Sequence, residues 1–135
     1  MEIIKGNMKY FILAFGNELI EQDNLAVKIS KELKLENADV ERCYSVNDLF
    51  KYQNYENIFI LDVVRNLNKV TLIEDINKIK THKLYSLHDF DLGFFLKLMK
   101  QLGKLKEIKI IGIPQKGDKE IIKKEIKEIL KKING

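Results

Sequence analysis

The stretch Phe11-Ile12-Leu13-Ala14-Phe15-Gly16-Asn17-Glu18-Leu19-Ile20-Glu21-Gln22-Asp23 decides the fold. Its apolar run has the length of a strand covered on both faces, and it stops at a Gly-Asn pair. Two glutamates follow. Asp23 then stands where a helical pattern opens, with Leu25, Ala26, Ile29 and Leu33 on one side. Such a strand–loop–helix unit collects polar groups at the carboxyl end of its strand, the edge where open α/β sheets bind ligands. The loop is expected to supply one wall of a small acidic site, with Glu18, Glu21 and Asp23 all eligible.

Outward from this unit the chain keeps alternating. Residues 9–15 read as the first strand, and 38–44 alternate as a second. A short helix is expected over 46–52, capped by Ser45 or Asn47. Residues 57–64 form the most apolar segment, Ile58-Phe59-Ile60-Leu61-Asp62-Val63-Val64. The lone acid in that run is informative, because an unpaired buried carboxylate costs several kcal/mol and is tolerated where a strand meets a polar edge. A further strand over 70–75 follows through a short loop, which makes it antiparallel to its predecessor or an edge strand. Beyond a polar connection at 78–84 lies Ser86-Leu87-His88-Asp89-Phe90-Asp91, then a helix on Leu92, Phe95, Leu96, Met99 and Leu102, closed by Gly103. The last strand spans 108–113 and ends at Pro114. Asp118 caps a terminal helix with the stripe Ile122, Ile126, Ile129, Leu130 and Ile133.

The order β-α-β-α-β-β-α-β-α predicts a three-layer α/β/α sandwich around a mostly parallel, twisted sheet of about five strands. With 135 residues, 45% hydrophobic content and no low-complexity tract or Gly/Ser/Pro-rich linker, the chain is expected to form one domain over 1–135. The net charge of +4 does not make a nucleic-acid protein, since many of the lysines alternate with glutamates as on a solvated helix face. The single cysteine, Cys43, excludes an intramolecular disulfide and fits a reducing compartment; a half-buried strand position and no catalytic role are expected for it. The first residues lack a signal-peptide core, and no apolar run approaches the roughly 20 residues a bilayer span needs. A cytoplasmic, monomeric protein without membrane contact is the expectation.

Right-handed crossovers place Asp23, Asp62 and His88 after strand ends or at the starts of following helices, positions that can gather at one sheet edge. Two carboxylates and an imidazole are ligand types for a borderline divalent ion such as nickel or zinc. Asp89 or Asp91 would hold the second imidazole nitrogen. The same residues also have a bland reading, with Asp23 and His88 opening helices and Asp62 as the polar end of a buried strand. His82, flanked by lysines, reads as exposed.

At these residues the chain resembles the hydrogenase maturation endopeptidases. Strand one ending in Gly16-Asn17, with the second acid of an acidic pair falling on Asp23, is similar to the family's opening. Asp62 matches its acid at the end of strand three, and Ser86-Leu87-His88 matches its Ser-x-His stretch before a helix. The closing Gly112-Ile113-Pro114 is similar to its last strand, and the resemblance spans about residues 9 to 133. It implies an endopeptidase that removes the C-terminal extension of an immature [NiFe] hydrogenase large subunit, its partner. Asp23, Asp62 and His88 would be the catalytic and metal-binding residues. They would contact nickel carried by the substrate rather than a resident ion. Water activation by a carboxylate base or through a metal-polarised carbonyl both fit.

The chain departs from the family pattern at Gln22, where the first acid of the pair would stand, and at Asn24-Leu25-Ala26, where Gly-x-Gly is usual. The Asp-Gly-Gly-Thr type of loop after strand two, linked to substrate choice, is replaced by Cys43-Tyr44-Ser45-Val46-Asn47-Asp48. Two other readings remain. A scaffold of the same fold would bind nickel or a hydrogenase subunit without cutting. A receiver domain would use Asp62 as phosphoacceptor, but needs an acidic pair ending strand one and an earlier lysine than Lys116.

Overall fold

The computed structural model describes residues 10–15, 24–43, 48, 51–52, 57–64, 66–74, 101, 103 and 108–134. Within them lie β1 (Tyr10–Phe15), α1 (Leu25–Glu32), β2 (Ala38–Cys43), β3 (Ile58–Val63), β4 (Thr71–Ile73), β5 (Ile108–Ile113) and α2 (Lys119–Asn134). The strands form one five-stranded sheet in the order β2-β1-β3-β5-β4. Its first four members are parallel, and β4 runs antiparallel to β5.

The apolar runs explain which strands are central. Every residue of β3 is buried, as are Ile12, Leu13, Ala14 and Phe15 of β1 and Ile110, Ile111 and Ile113 of β5. These strands need cover on both faces. On one face Ile12, Ala14, Phe59, Leu61, Ile111 and Ile113 pack with Ile29 of α1 and Ile122, Ile126 and Leu130 of α2. The opposite face carries Leu13, Phe15, Ile58, Ile60 and Ile110, all at most 2% exposed. There the ring of Phe11 meets that of Tyr52, centroids 5.5 Å apart. Both faces of these central strands are therefore buried, as expected of continuously apolar runs.

β4 shows how connection length sets direction. Residues 64–70 are too few for the crossover that a parallel neighbour requires, which takes a dozen or more. The segment instead turns at Asn66, whose φ of 70° lies in the left-handed region that Asn tolerates. It then pairs back along β5. The expected edge position is correct. The antiparallel partner, however, is β5 rather than the preceding strand, because β5 inserts between them.

Helix ends follow the sequence closely. Asp118 caps α2: its Oδ1 accepts from the backbone N–H of Glu120 at 2.8 Å and of Ile121 at 3.2 Å. At α1 the N-cap is Asn24, the residue directly after Asp23. Its carbonyl accepts from the Lys28 N–H at 2.9 Å, and its side chain makes no capping bond. Gly103 has a φ of 70°, the conformation expected where a helix closes. Asp48, Lys51 and Tyr52 lie in 3₁₀ turns where a short helix was expected. The rest of that stretch, and most of the helix expected on Leu92 to Leu102, lies outside the described residues.

On the helical face, Glu32 near the end of α1 accepts from Lys119 Nζ at 2.8 Å and Lys123 Nζ at 3.1 Å, and Lys123 also pairs with Glu120 at 2.6 Å. The lysines hold the Glu32 carboxyl below the usual carboxylate range through these hydrogen bonds. Among the described residues no helix is long and apolar enough to cross a membrane.

Candidate functional site at the carboxyl edge of the sheet

Chain order and strand order together locate a crevice. From β1 the chain passes through α1 to β2 on one side, whereas β3 and β5 lie on the other side of β1. The winding direction reverses between β1 and β3, and at such a switch the loops leave the strand ends in opposite directions and open a cleft.

Asp62 stands there, the fifth residue of β3 and 1% exposed. The register pairs Ala14 with Leu61, so the following residues, Phe15 and Asp62, are level with each other. Cys43 pairs with Phe15, Asp62 with Gly112, and Gly112 with Thr71. Cys43, Phe15, Asp62, Gly112 and Thr71 thus form a row across the sheet on the face away from α1 and α2. Asp62 has an aromatic neighbour on one side and a glycine on the other. It lies one residue inside the strand end, with Val63 beyond it in register with Ile113.

Gly112 leaves space that a neighbouring side chain uses. A Cβ there would stand 2.7 Å from Leu67 Cδ1 and 3.3 Å from Val64 Cγ2, with Ile73 Cδ1 at 3.5 Å. Leu67 fills the place a side chain would take. The connection from β3 to β4 is thereby held down on the sheet next to the strand position of Asp62.

At the same edge a cavity of about 800 Å³ opens between the start of α1 (Asn24, Leu25), Leu67 and residues 114–117. Asp62 does not line it. Leu67 belongs to both settings, lining the cavity and lying over Gly112. Asn24, 8% exposed, is the residue directly after Asp23. Among the described residues of the lining, Lys116 carries the positive charge.

Of the expected trio, Asp62 alone falls within the described residues; Asp23 and His88 lie outside them, as do Glu18, Glu21, His82, Asp89 and Asp91. Among the described residues no group of three His, Cys, Asp or Glu side chains comes together to hold a metal ion. Cys43 is more deeply buried than expected, at 1% exposure. Burial, followed by the negative charge of Asp48, pushes its thiol up to about 12, so it stays protonated and is no nucleophile at neutral pH. Leu67 and the 114–117 turn are not among the site residues expected from the sequence. Their signal was a Pro and a Gly bracketing a polar pair just past a strand end.

The sheet also bears on the receiver reading. That fold orders its parallel strands 2-1-3-4-5, whereas here the order is β2-β1-β3-β5-β4 with an antiparallel edge. The topology departs from it.

No protein-family model matches the chain, and no curated protein matches its sequence. Two solved structures share its fold. The crystal structure of the hydrogenase 3 maturation protease superposes with a TM-score of 0.61 at 16% identity, covering 93% of this chain and 89% of that one. An uncharacterized protein from Wolinella succinogenes superposes with a TM-score of 0.63 at 14% identity, covering 93% of this chain and 99% of the other. At these identities the likeness is one of fold: a mostly parallel five-stranded α/β sheet.

Proposed function

We propose that this chain is an endopeptidase that removes the C-terminal extension of an immature [NiFe] hydrogenase large subunit. The observation that carries the reading is Asp62, a carboxylate 1% exposed at the β1/β3 switch of a sheet whose fold is shared with the hydrogenase 3 maturation protease. Asp23 precedes a residue that lines the cavity at the same edge. In the proposed arrangement Asp23, Asp62 and His88 face nickel held by the substrate, and two carboxylates with an imidazole suit that ion. The nickel belongs to the substrate and marks it as ready for cutting. Hydrolysis adds water to the peptide carbonyl, expels the amine and needs a proton acceptor. A carboxylate at this edge supplies one.

Binding without cutting is the second reading. It is favoured by Gln22 in place of an acid and by Asn24, which serves as N-cap of α1 where the family usually has glycine nearby. Incubation with nickel-loaded large-subunit precursor separates the two. A shortened subunit by mass supports the endopeptidase, and stable binding at full length supports the scaffold.

A further inference from the structure

We propose that the cavity at the carboxyl edge seats a peptide segment of the substrate carrying an aliphatic side chain followed by a carboxylate. The aliphatic group lies against Leu25, Leu67 and Pro114, and the carboxylate meets Lys116. That the ligand is a peptide rests on the endopeptidase reading; its chemistry follows from the lining.

At about 800 Å³ the cavity is in the size range of small-ligand and peptide pockets. Leu25 and Pro114 are buried and Leu67 is half-buried, so packed elements give this mixed lining an apolar part beside the polar Asn24, Gln115 and Lys116. Gln115, half-buried beside them, brings an amide that can both donate to and accept from a peptide backbone.

The charge preference comes from Lys116. It is exposed, and among the described residues no carboxylate is paired with it. The acids nearby in sequence are already engaged: Asp118 accepts from two amides at the start of α2, and Glu120 holds Lys123. Lys119 and Lys123 are held by Glu32. Among the described residues that line the cavity, Lys116 is therefore the cation left to meet an incoming carboxylate, from an acidic side chain or a chain terminus.

Fluorescence anisotropy with short fluorescein-labelled peptides tests this on the full chain. Each peptide carries leucine followed by glutamate with an amidated end, glutamine with a free end, glutamine with an amidated end, or lysine with an amidated end. Either carboxylate should tighten binding roughly three- to fivefold over the neutral peptide, the scale of an exposed ion pair. The gain should vanish at about 1 M salt. The first two peptides separate a side-chain carboxylate from a terminal one. Lys116→Glu should reverse the preference toward the lysine peptide. Leu67→Ala should weaken all peptides roughly tenfold, the scale of lost aliphatic contact in a pocket. Absence of binding, or binding indifferent to both substitutions, overturns the proposal. Processing of the precursor at the same rate by wild type and Lys116→Glu, with no peptide binding, sinks the pocket and leaves the peptidase. The predicted peptide preferences without any processing sink the peptidase and leave the pocket.

Discussion

Asp62 on β3 stands directly against Gly112 on β5, and Gly112 has no side chain because Leu67 occupies that space, its Cδ1 2.7 Å from where a Cβ would be. The proposed site residue and the cavity wall are thereby built on one rung of the sheet. Gly112→Ala should push the Leu67 side chain outward, and the new methyl would also crowd Val64 Cγ2 at 3.3 Å. Overpacking of this kind costs about 1–3 kcal/mol. Leu67→Ala in the same chain should recover much of that loss, so that chemical denaturation of the two single variants and the double shows clear non-additivity.

Cys43 carries a prediction in pH. Its thiol ordinarily titrates near 9.0 and is raised to about 12 in the fold by burial. An acid whose folded value is raised contributes its full stabilisation below the unfolded value. That contribution is lost as pH climbs from about 9 to about 12, where the unfolded chain releases a proton that the folded chain retains. The native protein at pH 8 should therefore leave a thiol reagent unconsumed until denaturant is added. Rapid labelling of the native chain would contradict the buried placement.

Glu32 ties α1 to the first turns of α2 and titrates below the ordinary carboxylate value, held there by Lys119 and Lys123. A depressed carboxylate contributes above its unfolded value of about 4.5 and ceases to contribute as pH falls through its lower folded value. Glu32→Gln should leave a protein whose melting temperature at neutral pH is slightly lower than wild type. The gap should close in acid and in high salt, because the pair is exposed.

Much of the fold was legible in the sequence because its period changes are clean. The runs at 10–15, 58–63 and 108–113 are short and dominated by apolar residues, and the Ile122, Ile126, Leu130 stripe has the spacing of a helix. The partner of β4 was not legible. A short connection dictates that the strand reverses, but which neighbour it finds depends on β5, contributed by a much later part of the chain. Asp62 announced itself as an acid in an apolar run. Leu67 did not, since its role comes from a glycine 45 positions on that only the sheet register brings beside it. Asp23 and Asn24 are both good cap types, and the backbone of Asn24 decides which one caps α1.

Asp62→Asn keeps the shape and removes the charge. Because the side chain is buried at the end of a well-paired strand, the variant should fold and retain its secondary structure by circular dichroism. In the proposed function it should lose precursor processing by at least about a hundredfold, the usual contribution of a positioned acid–base group.

The most direct measurement of the central claim is the intact mass of a nickel-loaded [NiFe] hydrogenase large-subunit precursor after incubation with the wild-type chain, with Asp62→Asn in parallel. The wild type should produce a discrete loss of the C-terminal extension, and the variant should leave the precursor at full length. A precursor that stays at full length with the wild type, or is shortened equally by both, would contradict that claim.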